Sequence, residues 1–182
     1  MHRTPATRFE ARLEDGRPLW LERRPLRESA SSLHRIASPH PIPVDDLDLR
    51  SPDPARGLVW EAYTAEAGEA VPLGAGVLVR GDDPDAATAV LVLAEGPERA
   101  VVGELLVGTL QVSVLGLGVS RLSIRVALED PLLLALLARL DARLAGSTER
   151  YALLELSRTT RGRTLMSSGT FPQLPPDSRP AA

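Results

Sequence analysis

Few side chains in this sequence are of the types that make or break covalent bonds, and their positions narrow the chemistry at once. Cysteine is absent, which removes disulfides, thiolate nucleophiles and most structural zinc sites. The three histidines, His2, His34 and His40, all fall near the N-terminus. Asp45, Asp46 and Asp48 add oxygen donors close to His40, but Pro41 and Pro43 break any regular spacing and no helical pair of histidines exists. We read this segment as a solvated acidic loop and expect no metal. What remains is the stretch Glu95-Gly96-Pro97-Glu98-Arg99-Ala100-Val101-Val102-Gly103, two tyrosines, and a tail carrying Arg158, Arg161 and Arg163. Glu95 is a carboxylate suited to general-base work if it comes within hydrogen-bond reach of an acceptor amine; its plainer reading is a solvated strand-end charge. Tyr63 and Tyr151 sit in strand-like segments, where half-buried packing is the plainer role. Trp20 and Trp60 read likewise as core or interface residues. The tail arginines could meet a phosphate or an acidic partner, although such tails commonly serve solubility alone.

The elements that must position these groups follow from composition and pattern. With 182 residues and 43% hydrophobic content, the chain suits one domain, over 1–157, and a tail over 158–182. A net charge of -3 lacks the basic surplus that phosphate neutralisation needs, so no nucleic-acid or anionic-membrane partner is expected. All 21 basic residues are arginine, a usage that resembles the output of a G+C-rich bacterial genome and carries no functional weight. The start, Met1-His2-Arg3-Thr4-Pro5, has no apolar signal-peptide core, so a cytoplasmic location is expected.

Around Glu14-Asp15-Gly16, two partly alternating segments form the pattern of a hairpin, because glycine accepts positive φ freely. Arg27 to Ile36 is consistent with a short helix, and the prolines from Pro39 to Pro43 end it. Gly57–Ala65, Val71–Arg80 and Ala87–Ala94 read as an antiparallel meander joined by Gly/Asp/Pro-rich turns. From Glu98 to Gly118 the signals conflict. β-Branched residues and glycines favour strand, whereas Leu105, Leu106, Leu110, Val114 and Leu117 recur at helical spacing. The stretch Val101–Val119 is long enough to span a bilayer, but Glu104, Gln111 and Ser113 interrupt it, and a buried element of a soluble domain is the expectation. Ser120–Leu128 alternates as a strand. Asp130-Pro131 opens a helix, predicted over Pro131–Ala145, with Asp130 as cap and Pro131 at the first-turn position. Tyr151–Leu156 gives a last strand.

Strands, helix, strand, helix and strand in this order make an α/β layered domain. Here a family resemblance emerges. Ala11 to Arg27 resembles the opening "DG" turn and first strand of many bacterial GNAT N-acyltransferases. Leu91 to Glu98 looks like that superfamily's fourth strand running into its phosphate loop. Gly103–Val119, Ser120–Leu128 and Glu129-Asp130-Pro131 with its leucine-rich helix resemble the third helix, the fifth strand and the "DN" start of the fourth helix. The likeness covers residues 11–156 and implies a mixed, mostly antiparallel central sheet of about six to seven strands flanked by helices, with dimerisation as a frequent property.

The resemblance also implies a site. In the superfamily acetyl-CoA lies where the fourth and fifth strands part, its pyrophosphate on the amides of an Arg/Gln-x-x-Gly-x-Gly/Ala loop, since amides at a helix start form an anion nest. Carried over, the backbone of Leu91, Leu93, Arg99, Val101, Val102 and Gly103 would hold the cofactor and Glu95 would act as base. Only Gly103 keeps the loop's residue type. Glu98 places a carboxylate near phosphates, where unit charges ~4 Å apart repel by about 4 kcal/mol at an effective dielectric near 20. Val101 replaces a glycine with a β-branched residue that resists positive φ, and moving the register by one residue puts Val102 there instead. The predicted fourth helix holds no tyrosine to protonate a leaving thiolate. Two readings therefore stand: a non-catalytic GNAT-like module for regulation or protein interaction, with acetyl-CoA binding doubtful, or an active N-acetyltransferase acting on an amine. A protein partner docking on the tail from Arg158 is a third, and a homodimer is expected by resemblance.

Overall fold

The computed structural model describes residues 8–25, 57–81 and 83–156, with Ser29, Leu33, Arg35, Ile36, Ser38 and Pro39 between them. Its first unit is the hairpin of β1 (Arg8–Arg12) and β2 (Pro18–Pro25). Gly16 closes the turn at φ +87°, and the Asp15 carboxylate accepts the Arg17 amide at 3.0 Å, the local bond that makes Asp-Gly effective here. Strands β3 (Gly57–Glu66), β4 (Glu69–Arg80) and β5 (Ala86–Leu93) continue the meander, each antiparallel to its neighbour. Helix α1 (Arg99–Gly116) then crosses over to β6 (Arg121–Ala127), which pairs parallel to β5. Helix α2 (Pro131–Arg139) and the antiparallel strands β7 (Arg143–Ser147) and β8 (Tyr151–Leu156) complete the order. The sheet runs β1-β2-β3-β4-β5-β6-β8-β7.

The conflict over the central segment resolves as helix. Its apolar stripe, with Leu106, Leu110 and Val114 buried, meets a sheet face carrying Leu58, Trp60, Leu78 and Ala89, and that burial outweighs a strand propensity spread over about 1 kcal/mol. Thr109 and Ser113 are absorbed by donating their hydroxyls back to Leu105 and Thr109 carbonyls at 2.7 and 2.8 Å. Ser113 also accepts the Trp60 indole N–H at 2.9 Å. The helix has a mean hydropathy of 1.3 over 18 residues, enough by length and composition to cross a membrane, yet one of its faces is packed on the sheet. On the sheet's other face, Val59, Val77, Val90 and Val92 pack with Leu33 and Ile36. Ser29 and Leu33 are helical, within the span expected to be a helix; most of that span lies outside the described residues, as do the three histidines, Asp45, Asp46, Asp48 and the tail from Ser157.

Two expectations need correction. The sheet has eight strands rather than six to seven, because Arg143–Ser147, most of it within the span expected to be helix, forms β7. That helix stops at Arg139, and Asp141 turns the chain at φ +57°. Arg143–Ser147 has residues that favour helix, but pairing with β8 satisfies its backbone and extends the sheet. Leu144, within the span expected to be helix, stands 66% exposed.

Candidate functional site

The junction between β5, β6 and the start of α1 is where the expected site falls. Parallel pairing of β5 with β6 runs from Ala86 opposite Arg121 to Val90 opposite Arg125 and then stops. Both strands continue, to Leu93 and to Ala127, so the sheet opens at their C-terminal ends. Helix α1 begins a few residues beyond. Arg99 donates its amide to Gly96 O at 3.2 Å and Val102 to Glu98 O at 2.9 Å; the amides of Ala100 and Val101 are first-turn donors that an i→i−4 ladder starting here does not use.

The charged side chains at this helix start are engaged inside the domain. Glu98, at the N-cap, makes no side-chain bond to the helix amides and pairs instead with Arg17. Arg17 also reaches Asp15 at 2.6 Å and Glu66 at 2.9 Å, so one guanidinium from the β1–β2 turn gathers three carboxylates from three segments. The Arg17 amide and guanidinium hold the Asp15 carboxyl below its usual range, while Asp15 and Glu98 raise the guanidinium. Arg99 turns the other way. Its Nη2 lies 2.5 Å from Asp130 Oδ2, both side chains being largely buried, and its Nε is buried with no hydrogen-bond partner. Asp130 meanwhile caps α2 by accepting the Leu133 amide at 3.1 Å, so this one carboxylate ties the starts of both helices together.

The sequence-derived positions come together at this junction with different surroundings. Leu91 and Leu93 are buried in the core. Val101 is exposed, while Val102 is buried with Cγ1 close to where a Gly74 side chain would begin. Gly103 is buried, and a Cβ there would lie 3.1 Å from Leu93 Cδ1 and 3.3 Å from Leu136 Cδ2. Close packing of α1 against β5 and α2 is thus reason enough for glycine at that position. Glu95 is exposed on the segment after β5. Tyr151 lies on β8 opposite Ala127, and Tyr63 lies on β3.

A second polar cluster sits on β2 and β3, and sequence reasoning missed it. Glu61 is 1% exposed. Its Oε2 accepts the Tyr63 hydroxyl at 2.5 Å and lies 3.0 Å from Arg24 Nε, while Arg24 Nη2 reaches Glu22 at 3.1 Å. The signal was a lone carboxylate inside the apolar run Leu58 to Ala62, since a buried charge needs a partner. Trp20 stacks on Tyr63 with centroids 5.9 Å apart. Among the described residues no group of three His, Asp or Glu is arranged to hold a metal.

No family model matches the sequence, and neither does any curated protein. Solved structures do match the fold. A cAMP-binding acyltransferase from Mycobacterium smegmatis superposes with a TM-score of 0.57 at 19% identity, covering 83% of this chain and 48% of that one. A GNAT-family protein from Desulfovibrio desulfuricans gives a TM-score of 0.60 at 11% identity, over 76% of this chain and 98% of that one. A domain from Methanocaldococcus jannaschii gives 0.55 at 10% identity, over 84% and 99%. The chain therefore spans about half the length of the Mycobacterium protein. At these identities the likeness is one of fold, and that fold is the GNAT-type acetyltransferase fold, with its mixed, mostly antiparallel sheet.

Proposed function

We propose that this domain uses the acyltransferase fold without acyl transfer, as a regulatory or protein-interaction module. The observation that carries the reading is the double ion pairing at the start of α1. Glu98 brings a carboxylate to the start of α1, where the family resemblance would put a pyrophosphate, and Arg17 pairs with it there. Arg99, the one cation within the loop, is committed to Asp130. Moving Arg99 toward a phosphate would leave Asp130 buried without its partner, a penalty on the order of 3–5 kcal/mol. Val101 adds a β-branched side chain where glycine would let the backbone approach. Titration calorimetry with acetyl-CoA is expected to give no binding, and micromolar affinity would sink the proposal. The double variant Glu98→Gln, Val101→Gly removes the carboxylate and the β-branched side chain while leaving the Arg99–Asp130 pair, and is expected to gain affinity.

A second reading is favoured by one observation, the opening of the sheet beyond Val90 and Arg125. In it the domain is an N-acetyltransferase. An amine attacks the thioester carbonyl of acetyl-CoA, its proton passes to Glu95, and coenzyme A leaves as the thiol after protonation by water. Because the chain has no cysteine, a thiol reagent reads released coenzyme A without background. Turnover with an amine library that is lost in Glu95→Gln would establish this reading. The cyclic-nucleotide binding of the Mycobacterium protein is not transferred to a chain that spans half its length.

A further inference from the structure

The sheet opens beyond Val90 and Arg125, yet the end of β5 is not bare. Leu91 is 7% exposed, and Val92 and Leu93 are 1% exposed, although the strand has lost its neighbour. The start of α1 supplies the cover on one face. Gly103 packs on Leu93, with Leu133 and Leu136 of α2 beside it, and Val102 reaches across to Gly74 on β4. On the other face Val90 and Val92 pack with Leu33 and Ile36. The break in the ladder is thus a roofed gap, and one of its roofs is the end of a helix, the part of a helix that opens most readily.

Charge holds that helix end down. Ala100 and Val101 are exposed, and apolar burial in α1 begins only at Val102. Glu98 and Arg99, adjacent and opposite in charge, are drawn to opposite sides, one to Arg17 and the other to Asp130. The two anchors differ in kind. The Arg99 and Asp130 side chains are nearly dry, at 11% and 3% exposure, so salt screens their pair little. Arg17 is 31% exposed and shares its guanidinium with Asp15 and Glu66, so water and ions reach it and its hold on Glu98 is weak. The connector from β5 turns at Gly96, at φ +155°, a conformation that glycine adopts readily; its joint therefore lies beside Glu98. We propose that residues 98–103 form a lid over the end of β5, latched by Arg17. Screening or removing that one guanidinium loosens the helix start on the Glu98 side, while Arg99 stays tethered to Asp130, and bares the backbone of residues 91–93. The structure is the shut state. The inference rests on the reading of this junction as the functional site and adds its control.

Hydrogen exchange on the full chain tests the lid, with the Ala87 and Ala89 amides as internal reference. Raising sodium chloride from about 0.1 M to about 1 M shortens the Debye length from ~10 Å to ~3 Å. Exchange at residues 91–93 is then expected to speed up about fivefold relative to the reference, the scale of an exposed ion pair. Arg17→Gln should give the same increase at low salt and abolish the salt effect, and Glu98→Gln should match it. The double variant should exchange no faster than the faster single one, since both break one contact. Exchange at 91–93 that neither salt nor Arg17→Gln moves overturns the lid. An increase shared equally with Ala87 and Ala89 overturns it too, because that is loosening of the whole domain. Calorimetry of Arg17→Gln with acetyl-CoA separates this proposal from the functional one. Micromolar binding by the variant would sink the non-catalytic reading and leave the lid standing, whereas unchanged exchange sinks the lid whatever the variant binds.

Discussion

Asp130 accepts an amide at the start of α2 and a guanidinium from the start of α1 with one carboxylate. Removing it leaves Arg99 charged in a largely dry site, so Asp130→Ala is expected to lower stability by about 3 kcal/mol, read by chemical denaturation. Asp130→Asn keeps an acceptor for the Leu133 amide and should restore only the capping share, about 1 kcal/mol; full recovery would show that the ion pair contributes little. Tyr63 gives a pH prediction. Burial, reinforced by the bond to Glu61, pushes its phenol well above the ordinary value of 10.0. The folded protein therefore keeps a proton that the unfolded chain releases, and the stabilisation is full below pH 10.0 and falls away as pH rises above it. Wild type should lose stability more steeply than Tyr63→Phe in that alkaline window; parallel profiles would count against the assignment. Of these residues, Asp130 was legible as a cap because Asp-Pro before a leucine run has one local meaning. Its pairing with Arg99, 31 positions away, has no local signature, and neither does the Arg17–Glu98 contact at a separation of 81.

The turn between β3 and β4 shows what local chemistry leaves unoptimised. Ala67 and Gly68 occupy its centre at φ +50° and +86°, the two positive angles of a type I′ hairpin. Glycine adopts this region freely, but alanine meets its own carbonyl. Ala67→Asn is expected to stabilise the domain by about 1 kcal/mol, seen as a raised denaturation midpoint, and a lowered midpoint would contradict this account of the turn. The elements that could be read from sequence are those with such local grammar: the Asp-Gly hairpin, the alternation of Leu122, Ile124 and Val126 on β6, the Asp-Pro helix start. The end of α2 could not be read. Arg143, Leu144 and Ala145 are compatible with helix, and what makes them a strand is the free edge of β8, which exists only once the sheet has formed.

At the scale of the molecule, the distance between α1 and the sheet is set where side chains are missing. A Cβ on Gly74 would come within 2.8 Å of the Val92 carbonyl and 2.9 Å of Leu93 Cδ2, and one on Gly76 within 3.0 Å of Leu110 Cδ1. Because the Val92 contact is backbone, Gly74→Ala cannot be relieved by a rotamer change, and it is expected to cost about 2 kcal/mol; a neutral effect on the denaturation midpoint would mean that β4 and β5 yield more easily than their register implies. The candidate site depends on this same packing, since Leu93 also lies against Gly103. Finally, where β5 and β6 cease to pair after Val90, the amides of residues 91–93 that point toward β6 have no ladder partner although they lie in the centre of the sheet. In deuterated water these amides should exchange far ahead of Ala87 and Ala89 on the same strand. The interior of this sheet would thus contain a short leak in its protection, and ligand or partner engagement at that opening would be read directly as its closure.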